Sequence, residues 1–152
     1  MIKWGVLIIT CVLCGSIFAK AQDIKDGYGK MTLPDGSLYE GQFKDGAFEG
    51  KGTLTYPNGD KYQGDFSEGK FDGYGQIDYA DGRQYVGGFE YGEYDGHGTL
   101  LYSDGSKYVG QFREGLLNGQ GSLTYADGSQ YVRKFKDGDF DNAQANSTIE
   151  NQ

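Results

Sequence analysis

GKGTLTYPNGDKYQGDFSEGKFD, residues 50–72, is one copy of a pattern that occurs five times along this chain at a constant spacing of 23 residues. Each copy keeps a tyrosine, a phenylalanine, a turn glycine and a Gly-x-Gly pair, with no insertion or loss between copies. Recurrence in register at a fixed period predicts a repeat architecture. The conserved positions of the period are Tyr39, Tyr62, Tyr85, Tyr108 and Tyr131, Phe43, Phe66, Phe89, Phe112 and Phe135, and Gly36, Gly59, Gly82, Gly105 and Gly128.

Each copy contains two segments in which apolar and polar residues alternate, as expected for strands with one buried face. The intervening positions carry threonine, lysine, glutamine and aspartate, so the pattern predicts one aromatic face and one polar face. The apolar face of the second copy is made of Gly52, Leu54, Tyr56, Tyr62, Gly64 and Phe66.

A three-residue loop, Pro57-Asn58-Gly59, is needed to bring both apolar sets onto the same side of a hairpin. Such loops commonly combine a type I turn with a residue of positive φ, which accounts for glycine in the third place. This register pairs Leu54 with Tyr62 and places Gly52 opposite Gly64. The gap between these glycines is expected to be filled by aromatic rings from neighbouring hairpins.

A single hairpin is marginal in water, so the copies are predicted to stack into one sheet. The expected fold is all-β: a single-layer antiparallel meander of about ten strands, spanning residues 22–141. Arg133-Lys134 interrupts the glycine column in the fifth copy, and the next Gly-x-Gly position reads Asn142-Ala143-Gln144. The array is therefore predicted to end there, with a disordered polar tail over residues 142–152.

The first 21 residues have the pattern of a secretory signal peptide. Lys3 provides a positive start, residues 4–19 are almost wholly apolar, and Ala19-Lys20-Ala21 is an A-x-A cleavage pattern before Gln22. An uncleaved membrane anchor is the alternative, although the apolar run is shorter than the roughly 20 residues needed to span a bilayer. The sequence predicts a secreted or periplasmic protein.

Composition limits the classes of partner. The chain has 14 basic and 22 acidic residues, a net charge of −8, and loss of Lys3 and Lys20 with the signal leaves −10. Such a charge repels nucleic-acid backbones and anionic lipid surfaces. Both cysteines lie within the predicted signal, so no disulfide is expected in the mature chain.

The spacing Tyr62-x-Gly64-x-Phe66, followed by Gly69, Gly73-x-Gly75 and Asp81-Gly82, resembles the MORN (membrane occupation and recognition nexus) repeat family. The resemblance covers residues 27–141, with phenylalanine where that family often has tryptophan. It implies an elongated, curved β-meander that serves in protein interaction or scaffolding, that often dimerises, and for which acidic phospholipid binding has been proposed.

The tyrosines are the candidate binding surface, because a thin sheet has no second layer to cover its aromatic face. Sheet curvature and mutual packing of the rings are the favoured explanation of how this face is covered, and a groove for a peptide, a partner strand or a sugar polymer is the other. Exposed edge strands could also pair with a second copy. The phenylalanines and turn glycines of the period are assigned structural roles. The candidate surface consists of Tyr39, Tyr62, Tyr85, Tyr108, Tyr131, Tyr56, Tyr79, Tyr102 and Tyr125.

No catalytic residue, metal ligand or cofactor is predicted. His97 is the single histidine and occupies a variable position between two glycines, without a nucleophile or metal partner. The recurring acidic residues lack a calcium-binding motif and suit turn chemistry better. The sequon Asn146-Ser147-Thr148 in the tail is interpreted as a chance match.

The sequence therefore predicts an exported, non-enzymatic module for protein interaction or scaffolding, with an unidentified protein partner and a possible homodimer. Two alternatives stay open: a glycan binder at the cell envelope, and a peripheral phospholipid-binding module. The negative charge opposes the phospholipid alternative unless calcium bridges the charges.

Overall fold

The computed structural model describes residues 24–140, so the predicted signal peptide (residues 1–21) and the predicted polar tail (residues 142–152) lie outside the described residues. Within this range the chain forms one antiparallel sheet whose strands follow one another in chain order. The all-β meander predicted from the repeats is confirmed. The strands are β1 (Gly27–Thr32), β2 (Leu38–Lys44), β3 (Ala47–Thr55), β4 (Lys61–Ser67), β5 (Lys70–Asp78), β6 (Gln84–Glu90), β7 (Glu93–Leu101), β8 (Lys107–Arg113), β9 (Leu116–Thr124), β10 (Gln130–Lys136) and β11 (Asp139–Phe140).

The predicted hairpin register is present in the second copy: Leu54 pairs with Tyr62 and Gly52 with Gly64. The loop is closed by Tyr56, whose N–H donates to the carbonyl of Asp60 at 2.8 Å and whose carbonyl accepts from Gly59 at 3.0 Å. Gly59 has a φ of 96°, the left-handed conformation required at the third loop position.

A second, tighter hairpin links the copies and was not predicted. Between β4 and β5, Ser67 pairs with Lys70 across a two-residue turn in which Glu68 and Gly69 both have positive φ, 49° and 82°. Positive φ at both central positions defines a type I′ turn, whose twist matches that of the flanking strands. The Gly69 N–H also donates to the carbonyl of Phe48 in the preceding copy, at 2.9 Å.

The Gly-x-Gly pair has two separate structural roles. At Gly50 and Lys51 the register of β3 against β2 shifts, and Gly50 adopts a φ of 60° within this bulge. Gly52 resumes the pairing, opposite Gly41 on β2 and Gly64 on β4. The first position requires glycine because its backbone is left-handed. The second requires glycine because there is no room above it for a side chain.

The sheet has two faces of different character. The core face carries the tyrosines and phenylalanines of the repeats, which form a single buried cluster with leucine and isoleucine side chains. The outer face carries the alternate residues of every strand. The hydrophobic core of this single-layer sheet lies on the core face and runs the length of the array.

Candidate functional site

In the first four repeats the conserved tyrosine lies flat on the sheet across two paired glycines. A β-carbon built at Gly64 or Gly75 would meet the hydroxyl of Tyr62 at 2.5 Å. That hydroxyl donates a hydrogen bond of 2.8 Å to the carbonyl of Asp65, beside the register shift between β4 and β5. The ring therefore fills the space left by the glycines and satisfies a backbone carbonyl at the bulge.

Neighbouring rings enclose this tyrosine on its remaining sides. Tyr62 stacks on Phe71 with ring centroids 3.7 Å apart, and it makes edge contacts of 5.1 Å with both Phe66 and Phe89. Phe89 comes from the following copy, so the aromatic contacts join successive repeats. Offset stacking and edge-to-face geometry are the favourable arrangements for aromatic pairs.

Four of the nine tyrosines predicted to form a binding surface are fully buried, and that part of the prediction is wrong. Tyr39, Tyr62, Tyr85 and Tyr108 have 0% of their side-chain surface exposed, because their rings cover the glycines of the chain itself. Burial raises the pKa of the Tyr39 phenol to about 12 and also raises the pKa values of the other three. The phenylalanines Phe43, Phe66, Phe89, Phe112 and Phe135 are buried in the same cluster.

The other tyrosines of the predicted surface lie at the margin of the core face. Tyr56, Tyr79 and Tyr102 are half-buried against the core, and the hydroxyl of Tyr79 shares a short hydrogen bond with that of Tyr94. Tyr125 is exposed at the end of the array. These side chains therefore lie at the edge of the core, partly packed against it and partly open to solvent.

Tyr131 departs from the pattern of its column because the fifth copy lacks the glycine cradle. Its own strand carries Arg133 at the position of the cradle glycine, and the Arg133 guanidinium lies 5.8 Å from the Tyr131 ring centroid. Tyr131 is 45% exposed, against 0% for the equivalent Tyr108. The loss of the glycine at position 133, which predicted the end of the array, thus leaves Tyr131 exposed to solvent.

The outer face is organised around one continuous row of cross-strand neighbours, here called the central row. Its first half is polar or charged, whereas its second half alternates valine with small hydroxyl residues. This apolar half was missed because the polar face was deduced from the second copy, where the corresponding residue is Gln63. The central row consists of Lys30, Glu40, Thr53, Gln63, Gln76, Val86, Thr99, Val109, Ser122 and Val132.

The second half of the central row, from Val86 to Val132, is here called the valine half. It borders a groove of about 520 Å³ that also includes Tyr74 and His97. Val109 is 44% exposed and Val132 63% exposed. Valines on alternate strands are spaced by two strand separations, roughly 10 Å, so this half presents a regular apolar ladder to solvent.

Charge is distributed unevenly along the outer face and its strands. Strands β8, β9 and β10 contain five basic residues and no acidic one, although the whole chain carries −8. Strands β4 to β7 contain six acidic residues and two lysines. Among the described residues, no carboxylate lies within ion-pair distance of Lys107, Arg113 or Lys136. The basic side chains of this region therefore lie on the strands of the valine half, whereas its carboxylates, Asp104, Glu114, Asp127 and Asp137, lie in the turns at the strand ends.

The recurring acidic residues stabilise turns. Asp35, Asp81, Asp104 and Asp127 each accept a hydrogen bond from the backbone N–H two residues later. This bond is the main cause of the lowered pKa of Asp35 and Asp81, whereas for Asp104 and Asp127 the main cause is the hydrogen bond from the Ser106 or Ser129 hydroxyl, followed by the backbone bond. Glu49 accepts from the N–H of Glu68, the left-handed residue of the tight turn, at 3.2 Å. Within residues 24–140, no group of three or more acidic, histidine or cysteine side chains could hold a metal ion.

The variable column of the outer face contains Tyr28, Lys51, Tyr74, His97 and Gln120. His97 lies on β7 and pairs with Gln111 across β8. Its groove neighbours include the Val109 and Thr99 side chains, and neither is a nucleophile activated by a base. The described part of the chain also contains no helix long and apolar enough to cross a membrane.

Comparison with family models gives a match to the MORN repeat over residues 21–38, 39–61, 62–82, 85–107 and 108–130, which is more than half of the chain. A comparison with curated proteins found no match. Among solved structures, the chain is similar to the SAS-4 (dCPAP) TCP domain of Drosophila melanogaster in complex with a proline-rich motif of Ana2 (dSTIL). The two share 18% identity over 82% of this chain and 86% of that chain, with a TM-score of 0.32.

Proposed function

We propose that this chain, which belongs to the MORN repeat family, is an exported, non-enzymatic protein-interaction module that docks its partner on the valine half of the outer face. MORN repeats generally act as binding modules, in protein interaction or in association with membranes. The assignment of this chain to protein interaction rests on which of its surfaces are available.

The observation that carries the proposal is the contrast between the two faces. The tyrosines Tyr39, Tyr62, Tyr85 and Tyr108 of the core face pack on the glycines of the same sheet and are buried, so they are not available to a partner. The valines at 109 and 132 stay exposed on the outer face, where a polar residue would be expected on a solvated strand. An apolar row bordered by polar residues is typical of a protein contact site.

Charge favours an acidic partner. Lys107, Arg113 and Lys136 lie on the strands that carry the exposed valines, and those strands have no acidic residue. Opposite charges at the rim of an interface speed association and fix its register. A partner segment with apolar side chains and flanking carboxylates fits this surface.

Export is part of the same proposal and rests on the sequence. Residues 1–21 combine a positive start, an apolar run and the A-x-A pattern at Ala19-Lys20-Ala21. Cleavage after Ala21 would release both cysteines together with the signal, which suits a protein whose stability comes from packing alone.

Site-specific photo-crosslinking in the producing cell tests the docking surface. Benzoylphenylalanine at position 109 is expected to give an adduct of defined mass, and the additional change Val132→Gln is expected to reduce it. Position 63 is the matched control, because it occupies the same column two copies earlier. Equal adducts at 63 and 109, no adduct at 109, or an adduct unaffected by Val132→Gln would each contradict the proposal.

A further inference from the structure

We propose that the polar half of the outer face, on β1 to β6, is a second binding site, which takes an extended and uncharged sugar chain. This site adjoins the valine half, since Tyr74 and Val86 line both grooves, and it takes a ligand of a different class from the protein partner described above. It is a groove of about 600 Å³ on the outer face.

The floor of the groove is a ladder of hydrogen-bonding side chains. Glu40, Thr53, Gln63 and Gln76 are successive cross-strand neighbours in the central row, and all four line the groove. Thr53 and Gln63 supply both donors and acceptors, whereas the Gln76 amide already donates to Asp78 and the Glu40 carboxylate already accepts from Tyr28. Adjacent strands are about 4.8 Å apart, so a chain lying across the strands meets a new polar group at each strand. Sugar rings carry hydroxyl groups on both edges and suit such a periodic ladder.

The charges of the groove neutralise one another. The Lys30 ammonium lies 3.3 Å from the Glu40 carboxylate, and the Lys51 ammonium lies 2.7 Å from the Asp65 carboxylate. A groove with paired charges, on a protein of net charge −8, has no excess charge to attract an ionic polymer. Charge complementarity therefore selects a neutral polar ligand here, in contrast to the acidic partner favoured by β8 to β10.

Two aromatic rings stand at the sides of the groove. Tyr28 and Tyr74 both line it, with 71% and 62% of their surface exposed. The Tyr28 hydroxyl donates to the Glu40 carboxylate at 3.2 Å, which ties this ring to the polar ladder. Exposed aromatic rings offer flat apolar faces, and the axial C–H groups of a pyranose ring can stack on such faces while its hydroxyls reach the ladder.

The extent of the groove favours a chain over a single sugar. Tyr28 and Tyr74 occupy the same repeat position two copies apart, which places them four strands from each other, or about 19 Å at the usual strand separation. Lys51 occupies the intervening copy and is held by its ion pair with Asp65. A ligand that contacts both rings must span several sugar units in an extended conformation.

Isothermal titration calorimetry with the full mature chain tests this site, with cellohexaose and chitohexaose as soluble, uncharged probes. At least one probe is expected to bind. Tyr74→Ala and the double change Gln63→Ala/Gln76→Ala are each expected to weaken that binding roughly tenfold.

Tyr91→Ala is the matched control, because Tyr91 is equally exposed but lies at a turn outside the groove. Circular dichroism of every variant verifies folding. The proposal is overturned if no probe binds the wild-type chain, if Tyr91→Ala weakens binding as much as Tyr74→Ala, or if an acidic peptide proves to be the groove ligand.

The two surfaces can be separated experimentally. Val109→Gln is expected to leave sugar binding unchanged, whereas Tyr28→Ala is expected to weaken sugar binding and to leave the protein adduct at position 109 intact, because Tyr28 lines only the sugar groove. Loss of both activities in either variant would mean that the outer face is one site, which would contradict the assignment of a separate sugar groove.

Discussion

The phenol ring of Tyr62 on β4 covers Gly75 on β5, so closely that a β-carbon at Gly75 would lie 2.5 Å from the Tyr62 hydroxyl. The same relationship links Tyr39 with Gly52, Tyr85 with Gly98 and Tyr108 with Gly121. Each tyrosine therefore binds one strand to the next, and the repeat period places these contacts along the whole sheet. The stability of the array depends on this pairing of a large ring with a residue that has no side chain.

Gly75→Ala is expected to lower the free energy of unfolding by about 1–3 kcal/mol, because the new methyl group would force the Tyr62 ring out of its position. Urea denaturation followed by circular dichroism measures the effect. Gln63→Ala, at an exposed outer-face residue of the neighbouring strand, is the control and should change stability by no more than about 0.5 kcal/mol. In a Tyr62→Ala background the cost of Gly75→Ala should shrink; an unchanged cost would show that the ring is not the source of the clash.

Tyr91→Asn is expected to stabilise the chain by about 1 kcal/mol. Tyr91 has a φ of 52° in a tight turn where the other copies carry Asp45, Glu68, Glu114 and Asp137. Bulky residues disfavour this left-handed conformation, whereas asparagine tolerates it. Thermal melts of the wild-type chain and of Tyr91→Asn compare their melting temperatures, and a higher value is expected for Tyr91→Asn. A lower melting temperature for Tyr91→Asn would indicate that the cation–π contact between Tyr91 and Lys70 outweighs the strain.

The sheet is expected to lose stability as pH rises from about 10 to about 12. Burial raises the pKa of Tyr39 to about 12, above the value near 10 of an unfolded tyrosine. The stabilisation is complete below pH 10, because both states are then protonated, and it declines as the unfolded state alone releases its proton. Denaturation midpoints at several pH values measure this loss. Tyr39→Phe cannot ionise at this position and should show a shallower decline; an identical decline would exclude Tyr39 as a contributor.

Mass spectrometry of the protein recovered from its producing cell is expected to give Gln22 as the first residue. This result follows from cleavage after Ala21 by a signal peptidase. The replacement Ala21→Leu removes the small residue at the site and should retain the precursor in the membrane fraction. Recovery of unmodified chain beginning at Met1 in the membrane fraction of the wild type would instead support an uncleaved anchor.

The fold was predictable because the repeat leaves little choice of register. Alternation in the second copy identified both strands, and the odd loop length required by Pro57-Asn58-Gly59 fixed the pairing of Leu54 with Tyr62. The type I′ turn at Glu68-Gly69 was missed although two other copies of the turn, Asp45-Gly46 and Asp137-Gly138, carry the Asp-Gly pair that favours it; in the second copy glutamate replaces that aspartate. The signal in the sequence was the glycine column at Gly69, which recurs immediately after that residue.

The candidate site was less predictable than the fold. An aromatic residue at a regular period is equally consistent with an exposed platform and with a core, and the direction of the Tyr62 ring across Gly75 is a three-dimensional property. The valine half could have been found in the column Glu40, Gln63, Val86, Val109 and Val132, whose character changes from polar to apolar along the chain. Deducing the outer face from the second copy alone concealed that change.

The most direct test of which face is open is hydroxyl-radical footprinting of the folded chain, read by peptide mass spectrometry for each tyrosine. Tyr39, Tyr62, Tyr85 and Tyr108 are predicted to be protected, and Tyr28, Tyr74 and Tyr91 are predicted to be oxidised rapidly. Protection of the first set should disappear in denaturant. Oxidation of Tyr62 and Tyr85 in the folded chain at the rate of Tyr28 and Tyr74 would contradict the central claim that the tyrosine column is the core of the sheet and that its outer face is the one available for binding.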